Sequence, residues 1–296
     1  MNIEEERRRN ETDLVEKNKG TEIYGEEGMK PSLWSKYLYV YKTQIIKCLT
    51  YRFDVYGNIL MQSIIMITSA FFWKALYLGN DTVGGVNIDD MLTYIVVSSM
   101  MSVLLITNVE RRIENSVIKG TVATDLMKPI NIYGVYLAED LGSITALVVQ
   151  NMIPILAIGC LLIRVPRIAS FERIPLFVLS LVMSFFINWL VAALFGMWSY
   201  TAVNVDALIQ VKKHLLRLLS GSIIPMWFFP DWFRVILEAL PFVYIYQLPL
   251  DIYIGRSADT QIYKMMLIQL VWLIVLFVTF YILQRTATKK VMVQGG

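Results

Sequence analysis

Residues 263–284 read YKMMLIQLVWLIVLFVTFYILQ, and this stretch decides the class of fold. An α-helix needs about 20 predominantly apolar residues to cross the hydrocarbon core of a bilayer, which is about 30 Å thick. The stretch reaches that length with a single charged residue, Lys264, near its beginning. In lipid an open strand edge would leave backbone groups without hydrogen bonds, so the stretch is predicted to be a transmembrane helix.

Five further stretches have the same character, and apolar residues make up 56% of the chain against 17% charged residues. A soluble domain usually carries about a quarter charged residues. The sequence therefore predicts an all-α integral membrane protein with six transmembrane helices. Besides 263–284, the predicted spans cover residues 57–78, 91–109, 141–163, 175–200 and 209–228.

The residues before the first span divide into two segments. Residues 1–29 have mixed charge and few large apolar residues, which is typical of a disordered tail. In residues 30–55, Trp34, Tyr41 and Ile45 belong to an apolar stripe at helical spacing, with lysines off the stripe. This pattern predicts an amphipathic helix lying on the membrane surface, although such a helix could also dock on a soluble partner.

The distribution of Lys and Arg predicts the orientation. With a cytosolic N-terminus, most of these residues outside the tail flank the cytosolic ends of the spans, as membrane proteins prefer. An even number of spans then places both termini in the cytoplasm. Arg164, Arg167 and Arg173, which fall on the outer side, oppose this orientation.

The usual catalytic motifs are missing from the sequence. His214 is the single histidine, which excludes a His-x-x-x-His zinc site, and we predict neither a metal site nor a catalytic residue. Gly79 and Gly84 have the glycine spacing of a P-loop, but the Lys-Ser/Thr pair that would hold phosphates does not follow. Work against a gradient would therefore need another subunit or an ion gradient.

Polar side chains within the spans are candidates for a substrate path, because such groups are costly in lipid. In the fourth span they recur every four residues and share one helix face, which could line a path or pack closely against another helix. In the third span they precede Pro154, which is predicted to bend that helix, while Glu139 and Asp140 suit a helix start. The candidate path residues are Gln150, Asn151, Ser180, Ser184 and Asn188.

Two loops carry a family resemblance. Residues 112–129 read RIENSVIKGTVATDLMKP, and residues 219–232 read LSGSIIPMWFFPDW, followed by Leu240-Pro241-Phe242. Placed in this order within six spans, they resemble the ABC-2 type permeases, the membrane subunits of bacterial ATP-driven exporters. The resemblance extends over residues 31–290, and it makes residues 56–290 a six-span permease domain with the ABC-2 exporter fold.

The resemblance gives the cytosolic loop a role. Apolar residues in 110–133 can form one or two short helices, with Gly120 as a break and Pro129 as a stop. In the family this loop is the coupling helix that fits a groove of the ATPase, although it could also be an ordinary solvated connector. The predicted ATPase-coupling residues are Glu114, Lys119, Gly120, Asp125, Leu126 and Pro129.

The second loop corresponds to the family's short outer helices between spans five and six. By the resemblance, residues 220–262 re-enter the membrane, where irregular backbone needs protein or a water-filled cavity around it. A gate for substrate is therefore predicted there. Its residues are Gly221, Pro225, Trp227, Phe228 and Pro230.

The resemblance implies a permease subunit of an exporter in the bacterial plasma membrane. Its expected partners are two copies of an ABC ATPase, which bind ATP and Mg²⁺, a second permease chain, identical or homologous, and membrane lipid, but no nucleic acid. The scarcity of charge in the spans favours an amphipathic or hydrophobic cargo, such as a drug, a peptide or a lipid-like molecule. Alternatives are a secondary transporter driven by an ion gradient, and a membrane scaffold or immunity protein.

Overall fold

The computed structural model describes residues 33–50, 52–80, 82–128, 130–201 and 205–294. The chain divides into two compact units, residues 1–39 and 40–296, and the predicted tail over 1–29 lies outside the described residues. The elements in chain order are α1 (Leu33–Thr50), α2 (Arg52–Leu76), β1 (Thr82–Val83), β2 (Val86–Asn87), α3 (Ile88–Leu104), α4 (Val109–Ile118), α5 (Val122–Met127), α6 (Ile132–Leu147), α7 (Ile153–Leu162), α8 (Ile174–Met197), α9 (Asp206–Leu219), α10 (Asp231–Glu238), α11 (Val243–Ile254) and α12 (Asp259–Gln294).

Helix α1 forms within the predicted segment 30–55. In the second unit, the Tyr41 and Thr145 hydroxyls lie 2.9 Å apart, and the Gln44 amide donates to the Ser143 hydroxyl at 3.0 Å. Gly142 permits this approach, because a Cβ atom there would lie 2.6 Å from the Tyr41 carbonyl oxygen. The part of α1 that belongs to the second unit, residues 40–50, is therefore packed on α6. The contact of α1 with a membrane surface stays a prediction.

Five segments of the described chain are long and apolar enough to cross a membrane, and they confirm five of the six predicted spans. Each segment overlaps its prediction, although the ends differ by up to a few turns of helix. The segments are Val55–Leu76, Ile88–Ile118, Ile132–Leu162, Phe171–Tyr200 and Asp259–Thr286.

The predicted span over 209–228 is wrong as a continuous helix. Helix α9 begins at Asp206 and ends at Leu219, so its 14 residues extend only about 21 Å. The chain then turns at Gly221, whose φ of +85° favours glycine. The remaining candidate for a sixth span is the pair α10–α11, whose helices meet at 107°, either as a broken span or as a re-entrant segment.

The third span is disturbed where Pro154 predicts a bend. Residues Val148–Met152 form a π-helical turn between α6 and α7, and it includes Gln150 and Asn151. The prediction that Glu139 and Asp140 open this span is wrong. Helix α6 begins earlier, at Ile132, because the Asn131 side chain accepts hydrogen bonds from the backbone N–H groups of Tyr133 and Gly134.

Helix α8 lies at the centre of the core and packs against α4, α11 and α12. Small residues allow these neighbours to come close. Ala192 and Ala193 are fully buried, and a Cβ atom on Gly196 would lie 2.7 Å from Cα of Glu110 in α4. The close contact between α8 and α4 therefore depends on a glycine.

The hairpin β1–β2 turns through Gly84 and Gly85, both with positive φ, as two-residue hairpin turns require. We call the part of the bundle that holds this hairpin, the loop 220–230 and Arg256 the hairpin end. The part that holds α4, α5 and the beginning of α9 is the α4 end. The two ends carry the two groups of residues that the sequence singled out.

Candidate functional site

The α4 end is built around a break between α3 and α4. Helix α3 ends at Leu104, and the free carbonyl of Leu105 accepts a hydrogen bond of 2.6 Å from the Asn188 amide of α8. The backbone N–H of Asn108 donates to the Asp140 carboxylate at 3.2 Å. Side chains of α8 and α6 thus satisfy the backbone groups that the break exposes, and they fix where α4 begins.

Arg112 ties α4 to α6. Its guanidinium lies 2.8 Å from the Glu139 carboxylate and 2.5 Å from that of Asp140. The second oxygen of Asp140 accepts a hydrogen bond of 3.1 Å from the indole N–H of Trp189 in α8. The buried Asp140 carboxylate of α6 therefore has hydrogen-bond donors from α4, from Asn108 just before α4 and from α8, and α4, α6 and α8 meet at this group.

A second ion pair ties α4 to α9. The Lys212 ammonium lies 2.8 Å from Oε1 of Glu110, and both side chains are buried. The other oxygen, Oε2, is also buried and has no hydrogen-bond partner in the described part of the chain. Separating the two side chains would leave a buried charge without a partner, which is costly, so this pair holds α4 and α9 together.

Glu114 is buried as well. Its carboxylate accepts a hydrogen bond of 3.1 Å from the backbone N–H of Val205, which comes just before α9. We predicted Glu114 at an ATPase contact, but this hydrogen bond gives it a role inside the chain. The place of Glu114 in the loop motif does not reveal the helix face on which the side chain lies, and its contact with an ATPase stays a prediction.

The turn between α4 and α5 is compact and ordered by polar contacts. Gly120 breaks the helix with φ of +68°, as predicted. The Asp125 carboxylate accepts hydrogen bonds from Ser116 and Thr121 and lies 2.7 Å from the Lys128 ammonium. Partial burial alone would raise the pKa of Asp125, but the contacts with Lys128, Ser116 and Thr121 together hold it below its usual value.

The tip of this turn is exposed and partly apolar. Ile118 is 57% exposed and Met127 is 81% exposed, and Lys119 and Gly120 lie between them at the surface. An exposed apolar group beside charges is typical of a protein contact. The side chain of Leu126 and the whole of Pro129, both predicted at this contact, lie outside the described part.

A polar cleft of about 510 Å³ opens beside the α4 end and is lined by α2, α3 and α9. Lys212 and Glu110 of the α4 end line it, and so does Ser222 of the loop 220–230. Helix α9 also contributes Lys213 and Arg217 to the wall. The cleft therefore runs from α4 towards the loop of the predicted outer gate.

The predicted path residues do not share one surface. Asn188 lines the cleft, whereas Ser180 and Ser184 are fully buried and bonded to Gln269 of α12, with hydrogen bonds of 3.1 Å. This contact fits close helix packing, the alternative interpretation of the stripe. Buried oxygens of the Gln150 and Asn151 amides have no hydrogen-bond partner among the described residues. Their role in transport stays a prediction.

The predicted gate residues form a packed loop at the hairpin end. The Gly221 carbonyl accepts a hydrogen bond of 2.6 Å from the Tyr94 hydroxyl, and the Gln247 side chain accepts one of 2.9 Å from the backbone N–H of Met226. A Cβ atom on Gly221 would lie 2.5 Å from the Gln247 oxygen, so only glycine fits. Neutral hydrogen bonds thus fix the start of this loop.

Aromatic contacts fix the rest of the loop. Trp227 packs edge-on against Tyr94 at 5.3 Å, the Arg256 guanidinium lies 4.2 Å from its ring centre, and Phe228 stacks on Trp73 at 4.4 Å. Pro225 and Pro230 flank this aromatic turn. That the loop opens as a gate stays a prediction, and these are the contacts that opening would have to break.

Sequence analysis missed several residues that the structure brings together. It considered Lys212 only as one of the Lys and Arg residues that flank the cytosolic ends of the spans, and it gave Glu110, Gln269, Asn58 and Gln62 no role. A signal was present for Asn58 and Gln62, because polar residues four apart inside a span share one helix face. No local pattern pairs Glu110 with Lys212, which lie 102 residues apart. In the described ranges, no three His, Cys, Asp or Glu side chains are grouped to hold a metal ion.

Comparison with known proteins gives one match. The family described as ABC-2 family transporter protein matches residues 63–295, which include every predicted span except the first six residues of the first. No curated protein and no solved structure matches the chain. A match over this much of the sequence, on a helical chain with five to six candidate spans, is decisive: the chain belongs to the ABC-2 family of transporter proteins and is a multi-pass membrane component of an ABC transporter.

Proposed function

We propose that this chain is the permease subunit of an ABC exporter and that the turn between α4 and α5 receives the motion of a separate ATPase. Membership of the family implies association with an ABC ATPase. ATP and Mg²⁺ would be bound by that partner. The permease would form the path for an amphipathic or hydrophobic substrate.

The observation that carries this proposal is the contrast between the tip and the root of α4. At the tip, Ile118 and Met127 are exposed. At the root, Glu110 and Arg112 form ion pairs with α9 and α6. A partner that grips the tip would therefore move a helix that is fastened to two others, and packed elements transmit such shifts as rigid bodies.

The remaining parts of the proposal follow the family. The permease would pair with a second permease chain, identical or homologous, and with two ATPase copies in the bacterial plasma membrane, with both termini in the cytoplasm. ATP-driven closure of the ATPases would shift the permeases between inward-facing and outward-facing states. The loop 220–230 would then act as the outer gate.

One observation favours a second candidate, an ion-driven secondary transporter. Such transporters carry buried ionisable groups on their path, and Glu110 and Lys212 are buried beside the cleft. The pair lies at the α4 end, next to the proposed motor contact, which suits a mechanical role better. Flux by the purified chain alone, driven by an ion gradient without ATPase, would favour this candidate.

The exporter proposal is tested by one exposed substitution. We expect Met127→Glu to lower the transport-coupled ATPase rate of the reconstituted complex about tenfold, because it places a charge in an apolar contact. The matched control is Leu78→Glu, since Leu78 is 78% exposed and lies near the hairpin end. Equal rates in wild type, Met127→Glu and Leu78→Glu would contradict the motor contact.

A further inference from the structure

The cleft beside α4 carries an excess of positive charge. Its titratable lining groups besides the tyrosines are Glu110, Lys212, Lys213, His214 and Arg217. Glu110, the carboxylate of the lining, is buried and already paired with Lys212. Lys213, His214 and Arg217 form no ion pair with any residue that the structure describes.

Lys213 is the cation of the cleft for which a bound anion would have the largest electrostatic effect. It is half-buried, and burial lowers the pKa of its ammonium. Glu110 and Asp206 act against this shift, while Lys212 and Arg111 lower the pKa further. A bound anion would act against this lowering of the pKa, since opposite charge favours ionisation. Arg217 lies four residues later on the same helix face and offers a fork of donors suited to phosphate or carboxylate.

The opposite wall supplies neutral donors. Asn58 and Gln62 of α2 line the cleft four residues apart, and their amides make no hydrogen bond with the described residues. Polar side chains in a span are expensive unless they face a polar cavity. The two amides therefore suit the oxygens of the same head group that the α9 cations attract.

Part of the cleft lining is apolar and exposed. Ile65 and Ile223 line the cleft and remain exposed. A ligand with a charged head in the cleft would thus find apolar surface for a hydrocarbon tail.

We propose that the cleft binds an anionic amphiphile, with a phosphate or carboxylate head held by Lys213 and Arg217 of α9 and by the Asn58 and Gln62 amides of α2. The inference rests on the proposed transport function and narrows its amphipathic cargo to one with a negative head. In this proposal the cleft binds both the charged head and the apolar tail, so a free anion would make only the contacts of the head.

The test is a binding measurement on the full chain in nanodiscs of phosphatidylcholine, with empty nanodiscs as the blank. The probes share a twelve-carbon tail: dodecyl phosphate, dodecyl maltoside and dodecyl trimethylammonium. We expect dodecyl phosphate to bind about tenfold more tightly than the other two, which corresponds to about 1.4 kcal/mol. Equal binding of the three heads, or a preference for the ammonium, would overturn the proposal.

Substitutions test which residues bind the charged head group of dodecyl phosphate. The double substitution Lys213→Gln with Arg217→Gln should remove the preference for dodecyl phosphate, whereas Lys264→Gln, an exposed lysine outside the cleft, should retain it. An unchanged preference in the double variant would refute the assignment. A salt titration of the wild-type chain needs no variant: dodecyl phosphate affinity should fall with ionic strength and dodecyl maltoside affinity should not.

Competition with inorganic phosphate, which has no hydrocarbon tail, tests how much the tail contributes to binding. Inorganic phosphate should displace dodecyl phosphate at least about a hundredfold less effectively than dodecyl phosphate displaces itself, because each buried CH₂ adds about 0.8 kcal/mol. Equal displacement by inorganic phosphate and by dodecyl phosphate would overturn the proposal that the ligand is an amphiphile. These assays contain no ATPase, so their failure leaves the coupling of Met127 to ATP turnover to be decided by its own measurement.

Discussion

At the α4 end two ion pairs have a buried carboxylate, Glu110 and Asp140, whereas the ion-paired carboxylates at the hairpin end are all exposed in the described part of the chain. Asp140, paired with Arg112, has a fully buried side chain, while Asp259, paired with Arg173, is 68% exposed. The hairpin end is instead held by neutral hydrogen bonds around Gln247 and by aromatic contacts of Trp227. The difference indicates that α4 is held to α6 and α9 by buried charges, because separating a buried pair is costly.

The largest expected effect is at the buried pair of the α4 end. Lys212→Met leaves the Glu110 charge buried without a partner, so we expect a loss of about 3–5 kcal/mol in the free energy of unfolding. Thermal or denaturant unfolding in detergent measures it. The double variant Glu110→Leu with Lys212→Met should recover most of the loss. Additive losses in the double variant would contradict the pairing.

The next effect is at the hairpin end and concerns shape instead of charge. Gly221→Ala must hold a left-handed backbone and push the Gln247 side chain away, so we expect a loss of about 2–4 kcal/mol in unfolding free energy. Gly120→Ala is the matched control, since Gly120 also has positive φ but has open space around it. It should cost only about 1–2 kcal/mol. Similar losses in the two variants would show that the loop 220–230 is looser than described.

An exposed pair at the hairpin end should matter little. Asp259→Asn removes the contact with Arg173, and surface ion pairs contribute about 0–1 kcal/mol. Unfolding of this variant, measured beside Lys212→Met, places the two ends on one scale. A loss as large as that of Lys212→Met would remove the contrast between the ends.

The smallest effect is local and depends on pH. Because the folded-state pKa of Asp125 is lowered from its ordinary value of 3.8, its stabilisation of the α4–α5 turn is present above pH 3.8. It is lost as the pH falls below that value through the folded-state pKa. The protection factors of the Lys119 and Gly120 amides, which correct the hydrogen-exchange rates for their intrinsic pH dependence, should therefore fall in acid, and less so in Asp125→Asn. A parallel fall in both proteins would rule out Asp125 as the cause.

Sequence alone predicted what depends on local pattern. Five spans, the break at Gly120 and the disturbance before Pro154 follow from runs of apolar residues and from backbone preferences. The error over 209–228 has a physical reason: the average hydropathy of the stretch hides that α9 buries a lysine and ends before Gly221. An apolar window cannot tell a short helix followed by a turn from a continuous span.

The candidate site was predicted only in part, because its contacts join residues distant in sequence. The loop motif placed Lys119, Gly120 and Asp125 in the turn, where the structure has them. It also predicted Glu114 at the ATPase contact, and the loop motif gave no sign that Glu114 is buried and accepts a hydrogen bond from the backbone N–H of Val205. The ion pair of Glu110 and Lys212 and the cleft formed by α2, α3 and α9 require the folded chain.

The central claim, that a motor grips the α4–α5 turn, is tested most directly by cross-linking in the assembled transporter. With Cys48 and Cys160 first replaced by serine, Met127→Cys and Thr82→Cys place one thiol at each end of the bundle. A short bifunctional reagent should join the ATPase to the Met127→Cys chain and not to the Thr82→Cys chain. A cross-link at Thr82 and none at Met127 would contradict the account.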